Sequence, residues 1–233
     1  MIRARAKEKG GSLRLMNIKF VQYSAALILV FMLALGLPMQ AALAASPETL
    51  KVGSTGADVP DLQYRLKTLG YFKSDITTYF GTTTLDSLMR FQQDYGIKAD
   101  GIAGKQTWAT LKKVSVNQKE LDLLARIIYA ESRGEPYEGQ VAVGAVVMNR
   151  LASSSFPNTV KGVIEQPNAF TAVDDGQYRL KPDSTAYKAA LDAARGYDPT
   201  NGALYYFNPN TATSAWIWSR KQTGKIGRHV FAV

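Results

Sequence analysis

Apolar side chains recur at helical spacing in three short runs in the first half of the chain. Val59, Leu62, Leu66 and Leu69 share one face, with Asp58 as the expected N-cap, Pro60 in the first turn and Gly70 as the stop. Leu85, Leu88, Phe91 and Tyr95 mark a second helix starting in the Thr82 to Thr84 cluster and ending at Gly96, and Trp108 and Leu111 mark a third over Lys105 to Leu111. The pattern predicts a compact three-helix unit over residues 50–113, small but large enough to bury a core. Nothing in it has catalytic character, and Asp94 and Asp100 read as surface and turn residues.

A polar stretch, Ser115 to Lys119, reads as a hinge leading to a second unit over residues 120–233. There, Leu121, Leu124, Ile127 and Ile128 line one face of a helix that Gly134 and Pro136 break, and Glu131 falls on the same side, beyond Leu124, Ile127 and Ile128. The run from Gln140 to Leu151 is apolar on nearly all sides. By period alone it fits a buried strand, but its length favours a central buried helix, with Ala142, Gly144 and Ala145 permitting close packing. An irregular segment with two Pro follows, then a helix from Asp183 or Ser184 to Gly196. The tail, with GALYYFNP, SAWIWSR and IGRHVFAV, shows short aromatic strand-like runs. The fold class expected is mainly α, within α+β, with a small β element.

Upstream, the chain is almost wholly apolar from Val21 to Pro38, basic before that, and followed by Ala42-Leu43-Ala44. This predicts an export signal over residues 1–44 with an A-x-A cleavage site; a retained membrane anchor is the alternative. Met16 opens a more usual start. The leader also changes the meaning of the net charge of +9: it holds six Lys or Arg against one acid, leaving 22 basic and 18 acidic residues beyond it. A mildly basic protein facing an anionic wall fits that balance better than a nucleic-acid binder.

The chain has no Cys and one His, His229. That count removes thiol catalysis and leaves too few ligands for a catalytic zinc. No metal or other cofactor is expected, and carboxylates are left to carry any reaction. Desolvation favours the neutral form of a carboxyl group, the form a general acid needs, which makes Glu131 the first candidate. The same position suits a helix-ending residue whose head reaches solvent or Arg133, and pattern alone favours that plainer reading. Glu135 is the fallback acid, although both it and Glu138 read as surface or capping residues. Gln166, Asn168, Phe170 and Thr171 are candidates to line a binding cleft, while Asp174 and Asp175 read as a turn before Gly176. Tyr205, Tyr206 and Trp216 offer ring faces for sugars, and Asn208 a polar end for hydroxyl or acetamido groups. About half of the tail aromatics are expected in the core instead.

Two resemblances sharpen this picture. The strings LKVGSTGADVPDLQYRLKTLGYF and FGTTTLDSLMRFQQDYGIKADGIAGKQTWATL resemble the peptidoglycan-binding domain appended to many wall hydrolases. The strings ARIIYAESRGEPYEGQVAVGAVVMNR, FPNTVKGVIEQPNAFTAV, ALYYFNP and IGRHVF resemble the catalytic domain of germination-specific spore cortex-lytic enzymes. The second resemblance implies a lysozyme-like fold with Glu131 as catalyst, although Ser132 stands where Ala is more usual. It implies lytic transglycosylation of the cortex glycan with 1,6-anhydromuramoyl products, a preference for muramic lactam, and a location in the spore cortex or at the inner spore membrane surface. The expected partner is the glycan strand, acted on by a monomer, with room for a regulatory spore protein. A hydrolytic muramidase and a non-catalytic wall-binding protein are the alternatives.

Overall fold

The structure, a computed structural model, describes residues 47–233. The leader expected over residues 1–44 lies outside them. Helices α1 (Asp58–Thr68), α2 (Thr82–Asp94) and α3 (Lys105–Val114) close on a core that includes Leu62, Leu66, Phe80, Leu88, Phe91, Trp108 and Leu111. Asp58 is the first helical residue and does not cap α1; Ala57 holds the cap position. The Asp58 carboxylate instead accepts the Glu48 N–H at 2.8 Å, tying down the incoming chain.

Two buried glutamines on the helices brace the loops between them. Gln63 donates to the Tyr79 carbonyl (3.0 Å) and Thr84 Oγ1 (2.9 Å) and accepts the Thr77 N–H (2.7 Å). Gln92 donates to the Ile102 carbonyl and Thr107 Oγ1 (both 3.1 Å) and accepts the Gly101 N–H (2.9 Å). Each amide satisfies loop backbone that has no sheet to pair with.

The stretch expected to be a hinge with little slack is buried over its first two residues. Ser115 and Val116 are covered, and Arg65 of α1, only 1% exposed, reaches across to them. Its guanidinium donates to Asp61 (2.9 Å), the Ser115 carbonyl (2.9 Å) and Glu120 Oε2 (2.7 Å). A planar fork of five donors can satisfy three acceptors at once, which is why an arginine closes this junction. Glu120 in turn completes a reciprocal capping box with Asn117, which starts α4 (Gln118–Ser132).

Helix α5 (Tyr137–Ala152) forms as the buried helix expected, and α4, α3, α6 (Val160–Ile164) and α8 (Ser184–Ala194) all pack against it. A Cβ at Gly144 would lie 2.8 Å from the Ile128 side chain and 2.9 Å from Ala193 Cβ, so α4 and α8 approach α5 this closely only over a glycine. Between α6 and α8 lie the short helix α7 (Thr171–Asp174) and a 3₁₀ turn, Gln177–Arg179. The tail supplies β1 (Tyr205–Phe207), α9 (Ala215–Trp218), β2 (Gln222–Ile226) and β3 (His229–Ala232). The strands form an antiparallel sheet in the order β1-β3-β2, with Tyr206 opposite Phe231 and Ile226 opposite His229. Phe231 seats the sheet on Ala142 and Val146 of α5. Among the described residues no helix is long and apolar enough to cross a membrane.

Removing the junction arginine leaves two partly buried carboxylates and a carbonyl without their donor. Arg65→Ala is therefore expected to cost about 3 kcal/mol in urea unfolding, with Arg65→Lys recovering only part of it. A loss below about 0.5 kcal/mol, the range of ordinary surface changes, would contradict this account of the junction.

Candidate active site

Glu131 is the penultimate residue of α4, on the side lined by the fully buried Leu124, Ile127 and Ile128, and its own side chain is half-buried. Its Oε1 accepts the Ala172 N–H at 2.7 Å and its Oε2 accepts the Tyr206 hydroxyl at 2.9 Å. The plainer reading, with the carboxylate reaching Arg133, does not form. Arg133 donates to the Ala130 carbonyl and to Gln177 Oε1. Ala172 lies in the first turn of α7, where a helix leaves backbone N–H groups without internal acceptors. Burial, reinforced by the Glu131 carboxylate, pushes the Tyr206 phenol well above its ordinary pKa, so it stays protonated and remains the donor.

The structure brings several of the expected residues around this carboxyl and uses others differently. Tyr205 stands edge-on to Trp216 with ring centres 5.1 Å apart, and Trp216 is 51% exposed beneath the Arg220 guanidinium. Trp216 keeps part of its surface open, whereas Tyr205 is half-buried with the Arg150 guanidinium 5.6 Å from its ring centre. Thr171 is exposed at the start of α7, next to Ala172. Gln166 is exposed on the turn leading to α7 and makes no side-chain hydrogen bond among the described residues.

Phe170 is not a sugar contact: it is 3% exposed and packs beneath the site, 6.3 Å from the Tyr206 ring. Its apolar ring gains more from that core than from the surface. The Tyr206 hydroxyl is likewise committed, to Glu131. Asn208 closes a turn, its Oδ1 accepting the Asn210 N–H at 3.0 Å, as short amide side chains do two residues on.

Glu135 corrects the surface reading made for it. It is 7% exposed, and Arg228 holds both oxygens, through its guanidinium at 2.6 Å and its backbone N–H at 2.9 Å. Burial works to raise the Glu135 pKa, but the Arg228 bonds win and hold it below its ordinary value. It is a fixed anion and no reserve acid. Gly227 makes room for it, since a Cβ there would lie 2.1 Å from Glu135 Oε2 at a φ of +58°.

Other carboxylates are engaged elsewhere: Asp122 with Arg126 and Tyr187, Asp175 with Gln177, Asp192 with Tyr137. Asp174, exposed on α7, makes no side-chain hydrogen bond or ion pair among the described residues. Nor, among them, do three or more His, Asp or Glu side chains cluster as metal ligands do.

Sequence reasoning missed Arg150 and the Ala172 N–H. Arg150, on α5, is 5% exposed, and its Nε donates to the Leu204 carbonyl at 2.7 Å. Its guanidinium lies 5.0 to 5.6 Å from the rings of Phe156, Phe170 and Tyr205. A cation inside an otherwise apolar helical run was the available signal. A backbone donor leaves none.

The helical unit that bears Glu131 and the three-helix unit before it match two families, which make the chain a cell wall hydrolase with a peptidoglycan-binding unit. A family model described as Cell Wall Hydrolase matches residues 134–232, and one for a peptidoglycan binding domain matches residues 55–111. The chain is 44% identical over 224 residues to the spore cortex-lytic enzyme of Bacillus cereus, covering 80% of this chain and 86% of that one. Its identity to the spore cortex-lytic enzyme of Bacillus subtilis is 34% over 273 residues, covering 80% and 90%. The solved catalytic domain of the germination-specific lytic transglycosylase SleB from Bacillus anthracis is 61% identical, covering 51% of this chain and 97% of that one, with a TM-score of 0.49. The chain belongs to the spore cortex-lytic enzymes.

The environment of Glu135 and His229 makes stability depend on pH in one direction. Burial lowers the His229 pKa against the pull of Glu135, so the unfolded chain takes up a proton near pH 6.5 that the folded ring resists. Stability falls as pH drops below that value. Glu135, held as an anion, adds stability that is present above about pH 4.5 and is lost as pH falls through its lower folded value. Thermal melts at about pH 7.5, 5.5 and 4 are expected to show a progressive fall, and His229→Phe should flatten the first step while keeping the second.

Proposed function

We propose that this enzyme cleaves the glycan strand of spore cortex peptidoglycan by lytic transglycosylation, with Glu131 as its single acid and base. The observation that carries this reading is the Glu131 carboxyl, held at both oxygens by uncharged donors, one of them from the strand whose Tyr205 meets the exposed Trp216. A proton on Glu131 passes to the glycosidic oxygen as the bond to muramoyl C1 breaks. The Glu131 carboxylate then takes the proton of the C6 hydroxyl, O6 bonds to C1, and a 1,6-anhydro end forms without water. The Ala172 N–H and Tyr206 hydroxyl are in place to support the carboxylate between these steps.

Trp216 and Tyr205 stack on sugar rings in this reading, with Thr171 and Gln166 supplying polar contacts at the rim. Residues 50–113 hold the wall and residues 120–233 cut it. The apolar leader over residues 1–44 supports export, and the wall-binding unit supports action in the cortex or at the inner spore membrane surface. The enzyme works as a monomer, with activity in the dormant spore restrained by a regulatory spore protein.

A hydrolytic muramidase normally needs a second carboxylate, and the unengaged Asp174 on the helix that bears Ala172 is the residue that would serve. The two mechanisms separate by product and by variant. Glu131→Gln is expected to lower turnover of cortex glycan about 10³-fold or more, to keep sedimenting with the wall, and Asp174→Asn to retain the parent rate with anhydro ends in the muropeptide mass spectrum. Hydrated reducing ends, together with loss of activity in Asp174→Asn, would establish the muramidase instead.

A further inference from the structure

We infer that Arg150 is a positioning residue for the reaction, fixing from beneath the two segments that hold Glu131. The inference rests on Glu131 being the reacting carboxyl. Its basis is that each oxygen of Glu131 is held by a group two residues from a contact of Arg150. The Arg150 ring contact Phe170 precedes Ala172, whose N–H holds Oε1 at 2.7 Å. The Arg150 hydrogen-bond acceptor Leu204 precedes Tyr206, whose hydroxyl holds Oε2 at 2.9 Å. One side chain of α5 thus joins the start of α7 to strand β1, adding a fixed link to the direct packing of Phe170 on the Tyr206 ring.

The chemistry of the contact requires arginine. A guanidinium presents a flat face to aromatic rings while its edge donates to a carbonyl, and an ammonium has no such face. The burial is costly, because Arg150 is 5% exposed, has no carboxylate partner among the described residues and leaves Nη1 without a hydrogen bond. An apolar residue of similar length would fill the space at lower cost. What it would lose is the fixed spacing between Phe170 and Leu204, and with it the spacing of the two donors on Glu131. A misplacement of about 1 Å at a reacting group lowers turnover on the order of 10²-fold.

Steady-state rates on soluble cortex glycan, read as anhydro ends by mass spectrometry, test this with Arg150→Lys, Arg150→Met, Phe170→Leu and Glu131→Gln side by side, well below each melting temperature. Both Arg150 variants are expected to lose about 30-fold or more in kcat with KM within about 3-fold, and Phe170→Leu to lose part of kcat in the same way. Val147→Ala, buried on the same helix, lowers the melting temperature but leaves kcat unchanged, which separates positioning from stability. Folded Arg150 variants with the parent kcat, beside an inactive Glu131→Gln, would overturn the role of Arg150 alone. If neither Arg150 variant folds, Phe170→Leu decides, and parent kcat there overturns it. An active Glu131→Gln would overturn the assignment of Glu131, and the inference with it.

Discussion

The two hydrogen bonds on Glu131 come from chain segments 41 and 75 residues further on. A carboxyl in the last turn of a helix has several rotamers open to it, and nothing within α4 selects one. Selection comes from tertiary closure, and α5 is the element that closes it. Gly144 lets α4 and α8 approach it, Ala142 and Val146 receive the sheet, and Arg150 reaches both segments that supply the donors. Loop-closure entropy grows only slowly with length, so the buried core around α5 can offset both closures. The geometry of the site is therefore a property of the core beneath it.

The same helix that carries Glu131 near its end is fixed at its start by the other unit. Glu120 Oε2 accepts from both Arg65 and the Asn117 N–H, so one carboxylate oxygen joins the junction to the cap of α4. From Gln118 to Glu131 the helix runs roughly 20 Å. The N-terminal unit is then held at a set distance from Glu131, where a slack tether would allow many. The buried Ser115 and Val116 serve that end, since a covered linker has few conformations to explore.

Much of this was legible from residue pattern. The spacing of Val59, Leu62 and Leu66, of Leu85, Leu88 and Phe91, and of Leu124, Ile127 and Ile128 reports which side of each helix is apolar, and those sides are buried. Length settled α5 as a helix where period left a strand open, and Gly144 packs as its size suggested. What pattern does not report is the partner of a polar group. Asp58, Glu135 and Asn208 read as cap, surface or cleft residues, and each is bonded to a group that the sequence does not mark. Phe170 failed for a related reason: an aromatic in an irregular segment looks available until the core beneath it is known.

Glu131 and Glu135, four residues apart across one helix break, show how partners divide the roles of identical side chains. Glu135 receives a guanidinium, and a charge-assisted pair of that kind keeps a carboxylate ionised. Glu131 receives a backbone amide and a phenol, which orient it without adding a formal charge. The nearby cation, Arg150, directs its edge at a carbonyl and its faces at rings, and makes no bond to Glu131. The acid and base role proposed for Glu131 suits that arrangement, because a cation bonded to it would favour one protonation state throughout the cycle. Arg150 can therefore set the position of Glu131 only through intermediaries, and Phe170 and Leu204 are the intermediaries the fold supplies.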